Sequence, residues 1–171
     1  MSEPALEPST RTAFAMTQIG TVSNTRFDPA EADYWGDVVS TIDIDARFGD
    51  DCLVGLSAFS HVEIVFVFDR AVERDDYRPL RRARGRHDLP AVGTFCDRGP
   101  RRPNRIGIAI AQLVSATCRQ LRVLGLDAVD QTPVLDIKPV MRERLPTDVR
   151  QPDWVELLMR EHFLPTGGQG S

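Results

Sequence analysis

The chain has 171 residues, 42% apolar and 27% charged, with 21 bases against 25 acids and a net charge of −4. That length supports one sizeable core rather than two, and the charge argues against a protein that coats nucleic acid through bulk positive charge. No apolar run approaches the roughly 20 residues of a spanning helix, and the opening MSEPALEPST lacks the charged-then-apolar order of a signal peptide; a soluble, cytoplasmic protein with no membrane partner is expected.

In chain order, residues 1–15 show little periodicity and read as a tail. Met16 to Ser23 reads as a first strand, with Gly20 marking a bulge or the close approach of another segment. A loop over Asn24 to Asp37 ends in Tyr34-Trp35-Gly36-Asp37, where Trp35 is either a stacking platform or a rim aromatic covering the core. Val38 to Asp45 alternates apolar and polar residues, the pattern of a half-buried strand. Apolar residues at helical spacing behind Asp50 and Asp51 predict a short helical turn within Arg47 to Phe59. Ser60 to Phe68 is the strongest strand, apolar enough to predict burial on both faces. His61 at its start reads as a ligand or base, or as a histidine satisfied by a neighbouring backbone group. Asp69-Arg70 ends the strand, where sheets present functional groups.

Between Arg70 and Arg105 lie eleven arginines against five acids, a local balance of +6 that leaves −10 for the remainder. This predicts one basic face on an acidic body, drawing a polyanion to one place, or else an exposed arginine-rich loop that serves solubility. The connector Arg74 to Leu89 has no apolar period and reads as functional or disordered. Beyond it, Ala91 to Phe95, Ile106 to Ser115 and Gln120 to Leu126 are short, β-branched and separated by turn signals, which predicts an antiparallel sheet closed into a barrel or sandwich. Pro152 to Arg160 carries the one clear helical pattern. The expected organisation is a tail (1–15), a β domain (16–141) and a C-terminal helix and tail (142–171). Three widely spaced cysteines suggest neither a disulfide framework nor a metal site; Cys52 and Cys118 read as small apolar fillers and Cys96 stays open.

Two motifs dominate, GTFCDRGPRRPNRIGIAI from Gly93 and GLDAVDQTPVLDIKP from Gly125, and both read as proline-braced loops. In the first, Pro103 fixes one φ, Asn104 tolerates a turn and Gly107 permits close approach to something bulky. In the second, prolines bracket Asp136 and Lys138, the only lysine of the chain. The sequence holds no GxGxxG after a strand, no GxxxxGK, no HExxH and no serine elbow, so the common dinucleotide, nucleoside-triphosphate, zinc-protease and hydrolase readings lack their parts.

IGTV near the N-terminus, GL..FSHV..VFVF in the middle, RPNRIG and DxTPVLDIKP together resemble the YaeB/TrmO (TsaA-like) family over roughly Gln18 to Pro139. The resemblance implies a mainly β protein, a closed antiparallel β-barrel with short helices. It implies an S-adenosylmethionine-dependent tRNA methyltransferase that acts on N6 of threonylcarbamoyl-adenosine beside the anticodon, as a homodimer with the cofactor near the subunit interface. On that reading the Arg74 to Arg105 face docks the anticodon stem-loop through phosphates. Where typical members read F-A-T-R-S-x-x-R-P-N-P-I-G, this chain has Cys96 and Asp97 before Arg98, Gly99 after it, and Arg105 before Ile106; Gln131 replaces a glycine and Val140 a tyrosine. A small-molecule acceptor, or a non-catalytic module binding the cofactor or RNA, are the alternatives.

Arg98 matches the family arginine; its planar fork suits the cofactor's carboxylate, and a structural ion pair is the other reading. Leu124, Gly125, Leu126 and Asp127 can supply an acid for the ribose and backbone groups for the adenine edge. The resemblance also puts Ile108, Asp69 with Arg70, and Trp35, Gly36 and Asp37 around the cofactor. For transfer, Asp136 is either a base or the ion-pair partner of Lys138, and Asn104 either orients the acceptor adenine or caps a turn. No metal is expected.

Overall fold

The computed structural model describes residues 12–71 and 78–165. The strand residues alternate, and the alternation decides which face is buried: in His61–Val67 the side chains of Val62, Ile64 and Phe66 are enclosed while their neighbours face outward. Among the described residues eight strands form: β1 Gly20–Ser23, β2 Val39–Ile44, β3 His61–Val67, β4 Leu80–Arg82, β5 Ala91–Gly93, β6 Ile106–Thr117, β7 Gln120–Leu124 and β8 Pro133–Pro139. The helix α1 spans Asp153–Met159. Six strands close a barrel in the order β1-β2-β7-β6-β3-β8, and β4 with β5 makes a separate two-stranded sheet. Every pairing is antiparallel. The expected closed barrel is therefore present, although Ile106 to Ala111 of β6 and most of β8 have a strand partner on one side only.

The inward side chains of all six strands fill the barrel, with Phe66, Ile42, Ile64 and Leu121 among the largest enclosed. Each such side chain stabilises by roughly 1.5–3 kcal/mol through burial. Gly107 sits opposite Phe66 in the β3–β6 register, and a Cβ there would lie 2.4 Å from the Phe66 ring. The bulky neighbour that the sequence implied for Gly107 is that ring. At Gly20 the close approach is backbone, since a Cβ would meet the Asp43 carbonyl oxygen at 2.6 Å.

Several expectations are corrected. The segment over Arg47 to Phe59 forms two single 3-10 turns, Ala46–Phe48 and Leu56–Ala58; Gly49 and Gly55, both at positive φ, interrupt the helical spacing between them. Strand β3 is central, paired on both sides, yet buried on one face only, because the second face of a barrel wall is its outside. The arginine-rich connector contributes β4, which pairs with β5; residues 74–77 of it lie outside the described residues. The second proline-braced motif is strand β8 rather than a loop. Pro133 and Pro139 occupy its first and last positions, where a missing N–H costs the ladder least. Cys52 and Cys118 are exposed and fill no core position.

Strands β1, β3 and β7 end, and β2, β6 and β8 begin, at one end of the barrel, here termed the mouth. The β1–β2, β3–β6 and β7–β8 connections all lie there. Among the described residues, no helix is long and apolar enough to cross a membrane.

Candidate functional site

Strand β7 stops opposite Gln112 of β6, so Ile106 to Ala111 pairs with β3 alone among the described residues. One edge of β6 therefore keeps backbone donors and acceptors beyond the end of β7, next to the turn at Leu124 and Gly125. Arg98 uses one of them: its Nη2 donates to the Ile108 carbonyl at 2.6 Å. Two residues assigned to the cofactor from the sequence are thus in direct contact. The first motif works as a unit around them, with Arg102 donating to the Asp97 carbonyl and Arg81 paired with the Asp97 carboxylate at 3.3 Å.

A second group gathers across the mouth. The Gly125 amide donates to the Val38 carbonyl at 3.1 Å, which brings Leu124 to Asp127 against the Trp35-Gly36-Asp37 turn. Leu126 is fully enclosed and plugs the core, while Asp127 remains partly open. Trp35 is 2% exposed, with the Arg26 guanidinium 4.7 Å above its ring; the face that a stacked base would use is occupied. Asn24 ties these loops together, accepting from the Arg26 amide at 2.9 Å and donating to Ser40 Oγ and the Ala128 carbonyl, each at 2.8 Å. The C-terminal segment also reaches the mouth. The amides of Tyr34, Trp35 and Gly36 donate to the carbonyls of Glu161, His162 and Leu164 at 2.9, 2.8 and 3.2 Å. His162 Nε2 lies 3.3 Å from Asp127 Oδ2.

Asp127 Oδ1 is buried with no hydrogen-bond partner among the described residues. A buried carboxylate oxygen is costly without a donor, and ribose hydroxyls or an ammonium group are donors of that kind. The unpaired β6 edge suits an adenine rim and the Arg98 fork a carboxylate, so the residues present fit a nucleoside bearing an amino-acid end.

The remaining candidates lie apart. Asp69 and Arg70 are exposed in the turn after β3, where Arg70 donates to the Phe27 carbonyl at 3.2 Å. Asn104 is exposed in the turn before β6, and Asp37 is exposed at the end of its loop. Asp136 and Lys138 are ion-paired on the outer wall of β8, where Asp136 also accepts from the Ile137 amide at 2.9 Å. In register Asp136 stands opposite Val65, and Val65 opposite Ile108. Asp136, Val65 and Ile108 therefore form one row across the outside of β8, β3 and β6, with the Arg98 contact at its end. His61 is exposed and bonded to Ser60 Oγ at 2.9 Å, a side-chain partner rather than the backbone one expected.

Much of the arginine surplus is engaged within the chain. Arg84 holds the Asp33 carboxylate with two contacts of 2.7 Å and Arg82 donates to the Leu89 carbonyl; outside the Arg70 to Arg105 stretch, Arg26 pairs with Glu31 at 2.6 Å. Arg86 and Asp88 pair at 2.5 Å; the shared hydrogen bond raises the guanidinium and holds the carboxyl below the usual carboxylate range. Sequence reasoning passed over His162, Asn24 and Arg26. His162 is a lone histidine after the helix with no motif around it, and the Pro152 to Arg160 pattern that stops short of it was the only nearby signal.

Fold and site together describe a small closed β-barrel whose mouth presents a carboxylate, an arginine fork and an unpaired strand edge to a nucleoside-sized ligand. The chain belongs to the tRNA-methyltransferase O N-terminal domain family, whose model matches residues 19–144. It is 39% identical over 95 residues to the tRNA (adenine(37)-N6)-methyltransferase of Escherichia coli, covering 53% of this chain and 40% of that protein. It is 33% identical over 123 residues to a "Probable S-adenosyl-L-methionine-binding protein" of Pyrococcus abyssi, covering 72% of this chain and 62% of that one. A crystal structure of TrmO from Pseudomonas aeruginosa superimposes with a TM-score of 0.66 at 26% identity, over 81% of this chain and 61% of that chain. The chain thus spans less than two thirds of each of these relatives.

Proposed function

We propose that the chain is an S-adenosylmethionine-dependent methyltransferase acting on tRNA, at N6 of threonylcarbamoyl-adenosine beside the anticodon. The observation that carries this reading is the pairing of Arg98 with the unpaired edge of β6, at the same end of the barrel as a partnerless carboxylate oxygen on Asp127. The names of the Escherichia coli and Pyrococcus abyssi relatives support the reaction and the cofactor. When bound, the cofactor supplies a methyl group activated on a sulfonium centre.

The chain's own residues then have distinct tasks. Arg98 binds the carboxylate of the amino-acid end, and Ile108 offers backbone groups to the adenine. Leu124, Gly125, Leu126 and Asp127 close over the ribose, with Asp127 accepting from a hydroxyl. Trp35, Gly36 and Asp37 support that segment from behind, and Asp69 and Arg70 border the cofactor. Asp136 accepts a proton from the acceptor nitrogen, while Lys138, ion-paired to it, holds the side chain in place. Asn104, exposed beside the β6 edge, is placed to hydrogen-bond the acceptor base.

A homodimer accounts for the division of these residues between the outer wall and the mouth, because the wall of one subunit can complete the mouth of its partner. Ile108 and Ile110, exposed on the outer face of β6, supply apolar area for that contact. The exposed turns at Arg98, Arg101 and Asn104 meet the anticodon stem-loop, in the cytoplasm where tRNA is modified. The internal engagement of Arg26, Arg82, Arg84 and Arg86 leaves fewer guanidiniums for phosphates and favours, as a second reading, a small-molecule acceptor.

The test is incubation of the pure protein with methyl-labelled cofactor and tRNA from a strain lacking the corresponding enzyme. Label on the adenine beside the anticodon supports the proposal. Transfer to a small molecule but never to tRNA selects the second reading, and cofactor binding without any transfer leaves a non-catalytic module.

A further inference from the structure

We infer that the segment following α1 is part of the cofactor-binding mouth, and that His162 in it is a positioning residue for Asp127. This rests on the cofactor reading above and extends it to a stretch of chain beyond the residues that the family model matches, 19–144.

The segment is built into the mouth rather than laid upon it. Three backbone hydrogen bonds join Tyr34, Trp35 and Gly36 to Glu161, His162 and Leu164. A Cβ at Gly36 would stand 2.0 Å from the Phe163 carbonyl oxygen, so only glycine lets the two backbones approach this closely. His162 is 8% exposed, its ring edge-on to Phe163 at 4.5 Å, and among the described residues polar groups from three elements face it. From the β1–β2 loop, the Ala32 carbonyl lies 2.6 Å and Asp33 Oδ1 4.0 Å from Nδ1; from the β4–β5 connection, Arg84 Nη2 lies 3.2 Å from Nδ1. From the segment after β7, Asp127 Oδ2 lies 3.3 Å from Nε2.

A short side chain has two torsions, so a hydrogen bond to one carboxylate oxygen sets the direction of the other. Asp127 Oδ2, which can only accept, lies 3.3 Å from Nε2, so a proton on Nε2 makes this contact a hydrogen bond, and Oδ1 is left buried with no partner among the described residues. The arrangement reserves Oδ1 for a donor on the ligand: a vicinal ribose hydroxyl or the ammonium of an amino-acid end. His162 reaches the ligand only through Asp127, which makes its role one of aim rather than contact.

The test uses the full chain and calorimetric titration with S-adenosylmethionine. In His162→Gln the amide nitrogen can take the Nε2 position and still donate to Asp127; in His162→Asn it takes the Nδ1 position and only the Ala32 contact survives. His162→Asn is expected to lose about tenfold in affinity and His162→Gln to stay within about threefold of the wild type, although both melt earlier by similar amounts. On an Asp127→Asn background, His162→Asn is expected to cost nothing further. Equal losses in both variants, no loss in His162→Asn, or additive losses with Asp127→Asn each overturn the assignment, and tighter binding in either variant would make the segment an obstruction instead. A wild-type protein that binds no cofactor overturns the proposed function itself, whereas the preceding outcomes strike His162 alone.

Discussion

The two ends of the barrel are made by the same six strands, yet they differ in everything that bears on chemistry. At the far end the connections are compact. Thr117 and Gln120 flank a tight turn with Cys118 at a φ of 46°, and 3-10 turns carry β2 into β3. Two cavities open there, of about 370 Å³ beside Cys118 and about 440 Å³ among Phe48, Leu53, Leu56 and Phe59. Neither is lined by Arg98 or by Leu124 to Asp127. The mouth has long connections, buried hydrogen bonds and the partnerless Asp127 oxygen. A ligand with charged termini needs donors and acceptors fixed in advance, and at the mouth Arg98, the β6 edge and Asp127 are such groups.

That contrast can be broken at several points. The largest expected effect belongs to the core shared by both ends: Phe66→Ala removes an enclosed ring and leaves a cavity, at a cost of about 3–5 kcal/mol in denaturant unfolding. A loss below 1 kcal/mol would mean that the barrel does not depend on the packing of Phe66 against Gly107. Asp136 is the sharper case, since it belongs to the row leading to Arg98 and also borders the far cavity. Asp136→Asn is expected to slow transfer about a hundredfold with near-normal cofactor affinity. Weakened cofactor affinity with normal turnover would move the cofactor toward the far end. Arg98→Ala is expected to weaken cofactor binding about tenfold with the melting temperature nearly unchanged, and unchanged affinity by calorimetry removes Arg98 from the site.

The smallest effect is expected at Arg86 and Asp88, an exposed pair in the β4–β5 connection. The carboxyl of Asp88 is held below its ordinary range, chiefly by the hydrogen bond from Arg86. Its contribution to stability is therefore present above the ordinary carboxylate range and lost as pH falls through the lowered value. Solvent screens the pair, so Asp88→Asn should leave the neutral-pH melting temperature within error and should flatten the acid limb slightly. A marked loss at neutral pH would show that the connection is anchored through this pair.

The sheet was legible where alternation was strong. Strands β2, β3, β6 and β7 follow the apolar period closely, and the family motifs added closure into a barrel. Strand β8 was hidden because proline reads as a loop signal, although Pro133 and Pro139 sit only at its ends. Burial of β3 on both faces was overread: Val65 and Val67 are β-branched for strand geometry, and a barrel wall has an outer face that the sequence pattern does not distinguish. Of the site, Arg98 and Ile108 were singled out through the family resemblance, and the two touch. The link from Asp127 to His162 crosses 35 positions and depends on how the C-terminal segment docks, which no local pattern encodes. The arginine surplus was visible in composition, whereas its internal spending on carbonyls and carboxylates was not, because those partners come from distant loops.

The most direct test of the mouth as the cofactor site is to titrate S-adenosylmethionine into isotope-labelled protein and follow the backbone amide resonances. Shifts concentrated at Ile106 to Ala111, at Leu124 to Asp127 and around Arg98 are predicted. Shifts confined to Thr117 to Gln120 and Cys52 to Phe59, with the mouth silent, would contradict the assignment.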